Sequence, residues 1–82
     1  MSTFWYKQCP RCEQGQLFIH RNCETDGLYL HCDECEWGFS DPTQCDLVSG
    51  GYIAVFIHYD VPTLKEIEAR GWSAFALHEV AD

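Results

Sequence analysis

Apolar residues along the chain fall in short runs separated by turn-forming clusters, and none of the runs exceeds six positions. Leu17, Phe18 and Ile19 predict a strand over residues 16–21, and Leu28, Tyr29 and Leu30 a return strand over 28–31. Between them lie Asn22, Asp26 and Gly27, the residue types of a connecting turn, so the pair reads as an antiparallel hairpin. Residues 37–40 predict a third short strand, ended by Asp41 and Pro42. Phe4, Trp5 and Tyr6 predict a short strand or a hydrophobic flap that covers the hairpin core. Tyr52, Ile53, Ala54, Val55, Phe56 and Ile57 form the longest apolar run. Bounded by Gly51 and Asp60, and rich in β-branched and aromatic residues, it predicts a buried strand that extends the sheet or packs on it.

The pattern changes after Pro62. Thr63 and Glu66 have the spacing of a capping box, with Leu64 and Ile67 sharing a face and Gly71 stopping the helix. Ser73 is positioned to cap a second short helix with Phe75, Ala76 and Val80 on one side. Residues 44–51 form a loop closing on Gly50 and Gly51. They set a soft boundary between residues 1–43 and a strand-plus-helix tail over 44–82 that folds back as part of a single compact domain.

The cysteines give this small α+β pattern its organising chemistry. Cys9 and Cys12, then Cys32 and Cys35, form two Cys-x-x-Cys loops separated by nineteen residues. Each loop lets two thiolates converge on one ion, and two loops complete a four-sulfur shell of the kind Zn²⁺ accepts in structural sites. Gly15 and Gly38 follow Cys12 and Cys35 at the same offset, and the expectation is that they supply positive φ where the chain turns beneath the metal. Residues 9–39, CPRCEQGQLFIH followed by LYLHCDECEWGF, resemble a zinc ribbon, two knuckles joined by an antiparallel hairpin. That resemblance implies one structural zinc and a metal-stabilised ribbon sheet carrying the appended strand and helix or helices. Two Cys-x-x-Cys loops also hold a single iron in rubredoxin-like proteins, so the metal stays open between zinc and iron. A redox dithiol fits less well, because it needs one pair poised at a helix start.

At 82 residues the chain buries little surface for its length, and a metal supplies the staple such domains require. The residues before Cys9, MSTFWYKQ, carry no signal-like segment, and no apolar run is long enough to span a membrane. The expectation is a soluble cytoplasmic protein.

Thirteen acidic residues against five basic ones give a net charge of −8, spread over both halves of the chain. A nucleic-acid binder draws affinity from a basic stripe, and neither half has one. The acidic balance fits either a surface that serves solubility or a protein-binding module that faces a basic partner. Residues 62–72, PTLKEIEARGW, are similar to segments of bacterial immunity proteins that neutralise polymorphic toxins. The resemblance implies an acidic inhibitor, with Asp33, Glu34, Glu36 and Trp37 beside the second knuckle and Asp60, Glu66 and Glu68 on the tail as partner-binding residues. The alternative is a nucleic-acid or transcription-associated ribbon using Lys7, Arg11 and Arg21 with Trp5 and Phe18. The oligomeric state stays open, with residues 52–57 as the segment that pairs two copies if it lies at an edge.

Cys23 and Cys45 read as small, partly buried hydrophobes, and a second metal site built from them and a histidine is the alternative. His20, His31, His58 and His78 show no ligand spacing; His31, next to Cys32, reads as a strand histidine rather than a donor to a thiolate. No Ser-His-Asp order, carboxylate pair or phosphate-cradling loop is present, and a closed four-sulfur zinc has no position for water. The expectation is a non-catalytic protein.

Overall fold

The computed structural model describes residues 2–45, 47–56 and 58–81. The hairpin expected from the apolar runs forms as β2 (Gln16–Asn22) and β3 (Gly27–Cys32), paired from Leu17 opposite Cys32 to Asn22 opposite Gly27. Period-two alternation sorts its residues between two faces. Leu17, Ile19, Leu30 and Cys32 are buried on one face, while Phe18, His20 and His31 are half-buried on the other. The turn closes with Asp26 at φ 59°, and the Asn22 carboxamide accepts the Glu24 amide at 2.9 Å.

Around this hairpin the sheet grows in both directions. β1 (Ser2–Gln8) pairs with β2, and β4 (Trp37–Phe39) pairs with β3. Leu30 lies opposite Phe39 and Ile19 opposite Leu30, which gives a buried apolar row across three strands. β5 (Tyr52–Ile53) adds to β4, and β6 (Tyr59–Asp60) pairs with the Arg21–Asn22 end of β2. β7 (His78–Ala81) completes a seven-stranded antiparallel sheet in the order β5-β4-β3-β2-β1-β7, with β6 off the main path on β2. One short helix, α1 (Leu64–Ala69), packs on the core through Ile67, which is fully buried. No helix among the described residues is long and apolar enough to cross a membrane.

Several sequence expectations hold. Thr63 caps α1 by accepting the Glu66 amide at 3.2 Å, and Gly71, at φ 78°, ends it. The residues around Trp5 form a strand rather than a flap.

Two expectations fail. The apolar run from Tyr52 is a strand for two residues only; Ile53 and Val55 are 56% and 58% exposed, and Ile57 lies outside the described residues. β4 is three residues long and offers register positions to Ile53 and Tyr52 alone; buried Ala54 adds one more bond, its amide donating to the Glu36 carbonyl at 2.9 Å, before the chain leaves the ladder. The second helix expected after Ser73 is a single 3-10 turn (Trp72–Ala74), and the chain then extends into β7. The edge of β1 decides this: its backbone groups are satisfied by antiparallel pairing from Ser2 opposite Ala81 to Trp5 opposite His78. On α1, Ile67 is buried while Leu64 stays 46% exposed.

Candidate metal centre

The first knuckle follows β1, and the second connects β3 to β4. They share one closing device, in which the Glu13 amide donates to the Cys9 carbonyl at 3.0 Å and the Glu36 amide to the Cys32 carbonyl at 3.3 Å. Each loop needs one left-handed residue to close, and the structure puts it at Glu13 (φ 57°) and Glu36 (φ 63°), directly after the second cysteine of each pair. The positive φ expected at Gly15 and Gly38 is therefore absent, and those glycines serve close approach. A Cβ on Gly15 would lie 2.6 Å from the Cys32 sulfur, and one on Gly38 2.3 Å from the Ala54 Cβ.

These turns bring the sulfurs of Cys9, Cys12, Cys32 and Cys35 within 4.8 Å of one another. The Sγ atoms of Cys9 and Cys35 are 3.7 Å apart and those of Cys12 and Cys32 3.5 Å, both pairs crossing between knuckles. A disulfide would need about 2 Å, whereas a tetrahedron with metal–sulfur distances of about 2.3 Å has edges of about 3.8 Å. None of the six cysteines is in a disulfide.

The electrostatics fit a cation at the centre. Burial pushes the Cys9 thiol up, and burial pushes Cys32 up to about 12 despite amide hydrogen bonds from Cys35 and Glu34. Cys12 moves the other way, to about 6, because the amides of Gly15 and Gln14 point at its sulfur. Four sulfurs this close cannot all ionise unaided, and a divalent ion displaces their protons by holding them as thiolates. The amides aimed at the sulfurs, Gly15 to Cys12 and both Glu34 and Cys35 to Cys32 at 3.4 Å each, stabilise that charged state.

The residues expected to meet a partner are split into two groups. Asp33, Glu34, Glu36 and Trp37 lie at the knuckle end of the hairpin. Asp33 accepts the Gln16 amide at 3.0 Å and so ties the second knuckle to β2. Trp37 donates through Nε1 to the Val48 carbonyl at 3.1 Å, with the Arg11 guanidinium 4.7 Å from its ring centroid. Asp60 and Glu66 lie toward the turn end, about 17 Å away along β2 at strand rise. Both pair with Arg21, at 2.9 Å and 3.6 Å, while Asp26 bridges Arg21 and Arg70. Glu68 is exposed on α1.

The basic set proposed for nucleic acid is likewise dispersed. Arg21 is committed to acids, Arg11 lies over Trp37, and Trp5 and Phe18 are cross-strand partners. Cys45 is buried in the core, but Cys23 is exposed, contrary to expectation. Neither belongs to a convergent ligand group among the described residues. His31 faces away from the sulfurs and stacks on His20 at 5.1 Å.

The sequence reading overlooked an aromatic and histidine cluster on the face opposite the core, built from His20, Tyr29, His31, Phe56 and Tyr59. Strand alternation alone places His20 opposite Tyr29, whereas Tyr59 joins only through β6. The chain has no significant match to any family model, curated protein or solved structure.

Proposed function

We propose that the chain is a non-catalytic zinc ribbon that binds a basic protein partner, in the manner of an acidic inhibitor or immunity protein. The observation that carries the reading is the charge distribution. The chain bears −8, and among the described residues the ion pairs engage Asp26, Asp60 and Glu66, while Glu34 and Glu36 are exposed beside the second knuckle. An acidic rim next to the half-buried indole of Trp37, over which the Arg11 guanidinium lies, supplies steering together with an aromatic anchor.

Zinc is the metal proposed for the cluster, held by Cys9, Cys12, Cys32 and Cys35 as one structural ion. Four sulfurs fill a tetrahedral shell and leave no position for a reacting water, which supports the non-catalytic reading. Iron in the same shell would make the protein a rubredoxin-like carrier, and colour separates the two, red for iron and colourless for zinc.

Purification of the chain's native partner tests the function. The reading expects a basic protein whose binding weakens with added salt and with Glu34→Lys and Glu36→Lys together. A shift of single- or double-stranded nucleic acid by the purified chain at low salt, with binding unaltered by those substitutions, would overturn it in favour of a nucleic-acid ribbon.

A further inference from the structure

The aromatic cluster opposite the core encloses a cavity of about 120 Å³. His20 sits inside a stack, 5.1 Å from His31 and 4.9 Å from Tyr59, with planes inclined by 22° and 18°. Tyr29 stands at 88° to His20 and 85° to His31, and Phe56 stands at 70° to Tyr29 with centroids 4.8 Å apart. Tyr29 thus stands across the histidine stack and Phe56 across Tyr29, around one space. Tyr29 is 4% exposed and Tyr59 55%, so the site has a deep floor and an open rim, where Glu36 adds a carboxylate.

The lining chemistry narrows what such a space accepts. No lysine or arginine lines it among the described residues, and the protein is strongly acidic, so an anion finds no counter-charge. A metal ion finds no convergent ligand set there, since the cysteine cluster is the group of that kind among the described residues. Cations are stabilised over aromatic faces, most of all when partly desolvated. Burial lowers His20 to about 4, so at neutral pH its ring is an uncharged wall rather than a competing cation. The volume is below the roughly 150 Å³ that accepts benzene in an apolar interior, which suits a head group whose chain extends outward.

We propose that His20, Tyr29, His31, Phe56 and Tyr59, with Glu36 at the rim, form a binding site for an alkylammonium head group. The group arrives on a free small amine or as the lysine side chain, methylated or not, of a partner; only the second source rests on the protein-binding function. The two knuckles contribute to this site only through Glu36, whose left-handed backbone follows directly from closure of the second loop.

Titration of the purified protein with choline, with dimethylbutanol as its uncharged carbon isostere, and with a lysine peptide in plain and trimethylated forms, followed by NMR of the aromatic rings, tests the site. At least one cation is expected to shift the Tyr29, Phe56 and Tyr59 resonances saturably in the millimolar range, about tenfold more tightly than the isostere. Saturation by choline alone assigns a free amine, and saturation by the peptide alone assigns a partner's side chain. Tyr59→Ala, at an exposed position, is expected to weaken binding about fivefold, and Glu36→Gln about threefold, with the Leu17 and Ile19 methyl resonances unmoved. The proposal is overturned if neither cation saturates, if the isostere binds equally well, or if both variants keep full affinity. Loss of the basic-partner interaction with choline binding intact would remove the function proposed above and leave this site standing.

Discussion

Gly15 and Cys32 approach so closely that no side chain fits between them. A Cβ on Gly15 would lie 2.6 Å from the Cys32 sulfur and 2.7 Å from Asp33 Oδ1. The sulfur cannot retreat without leaving its three neighbours, and Asp33 is held by the Gln16 amide. Gly15→Ala is therefore expected to cost about 1–3 kcal/mol of stability and to reduce metal affinity at least about tenfold, measured by chelator competition. Gly71→Asn provides the contrast: nothing lies within 4 Å of a Cβ there, and asparagine tolerates φ 78°, so near-wild-type stability is expected.

Ile67 is the apolar anchor of α1. It is fully buried in the core, and Ile67→Ala is expected to cost about 2–4 kcal/mol in chemical denaturation. Leu64→Ala, one turn earlier on the same helix, is expected to change stability by less than about 0.5 kcal/mol.

Arg21 joins the hairpin end to β6 and α1 through Asp60 and Glu66. These carboxylates hold its guanidinium pKa above the usual value, with the Asp60 hydrogen bond the leading cause. Arg21→Gln is expected to raise amide exchange selectively in β6 and α1, with the effect shrinking in molar salt as screening replaces the lost charge. Uniform exchange changes across the sheet would contradict that role.

His20 carries a pH dependence with a definite sign. Burial lowers its pKa from 6.5 to about 4, with repulsion from His31 a smaller cause. Above pH 6.5 the ring is neutral in both folded and unfolded chains and stability is unaffected. As pH falls from 6.5 toward 4 the unfolded chain takes up the proton first, and stability declines, levelling below about 4. The full decline is no more than about 3 kcal/mol, reduced further by the ring's partial exposure. His20→Phe keeps a ring in the stack and removes the titration, so its stability is expected to fall less than that of the parent over this range. Equal slopes would contradict the assignment.

How much of this was legible in the sequence depends on how local the determining contacts are. The β2–β3 hairpin and the α1 cap are written in alternation, turn residues and a three-residue capping offset, and the cysteine spacing fixes which sulfurs meet. β7 was not legible, because its partner is at the other end of the chain and local grammar favours a capped helix after Ser73. In the segment after Tyr52 apolar content implies a buried strand, whereas three-residue β4 limits the ladder to two partners. At Gly15 and Gly38 the residue type was right and its role was not: the left-handed turns fall on Glu13 and Glu36, and the glycines admit a sulfur and a neighbouring strand. The division of the acids between Arg21 and the knuckle rim required the β6 register, which no local pattern specifies.

The proposed ribbon rests on one ion held by Cys9, Cys12, Cys32 and Cys35, whose sulfurs lie within 4.8 Å of one another. Elemental analysis of the purified chain, paired with an NMR spectrum before and after chelation, tests it most directly. One zinc per chain is expected, with loss of the dispersed β2, β3 and β4 amide signals when the metal is removed. Metal-free protein that keeps those signals unchanged would contradict it.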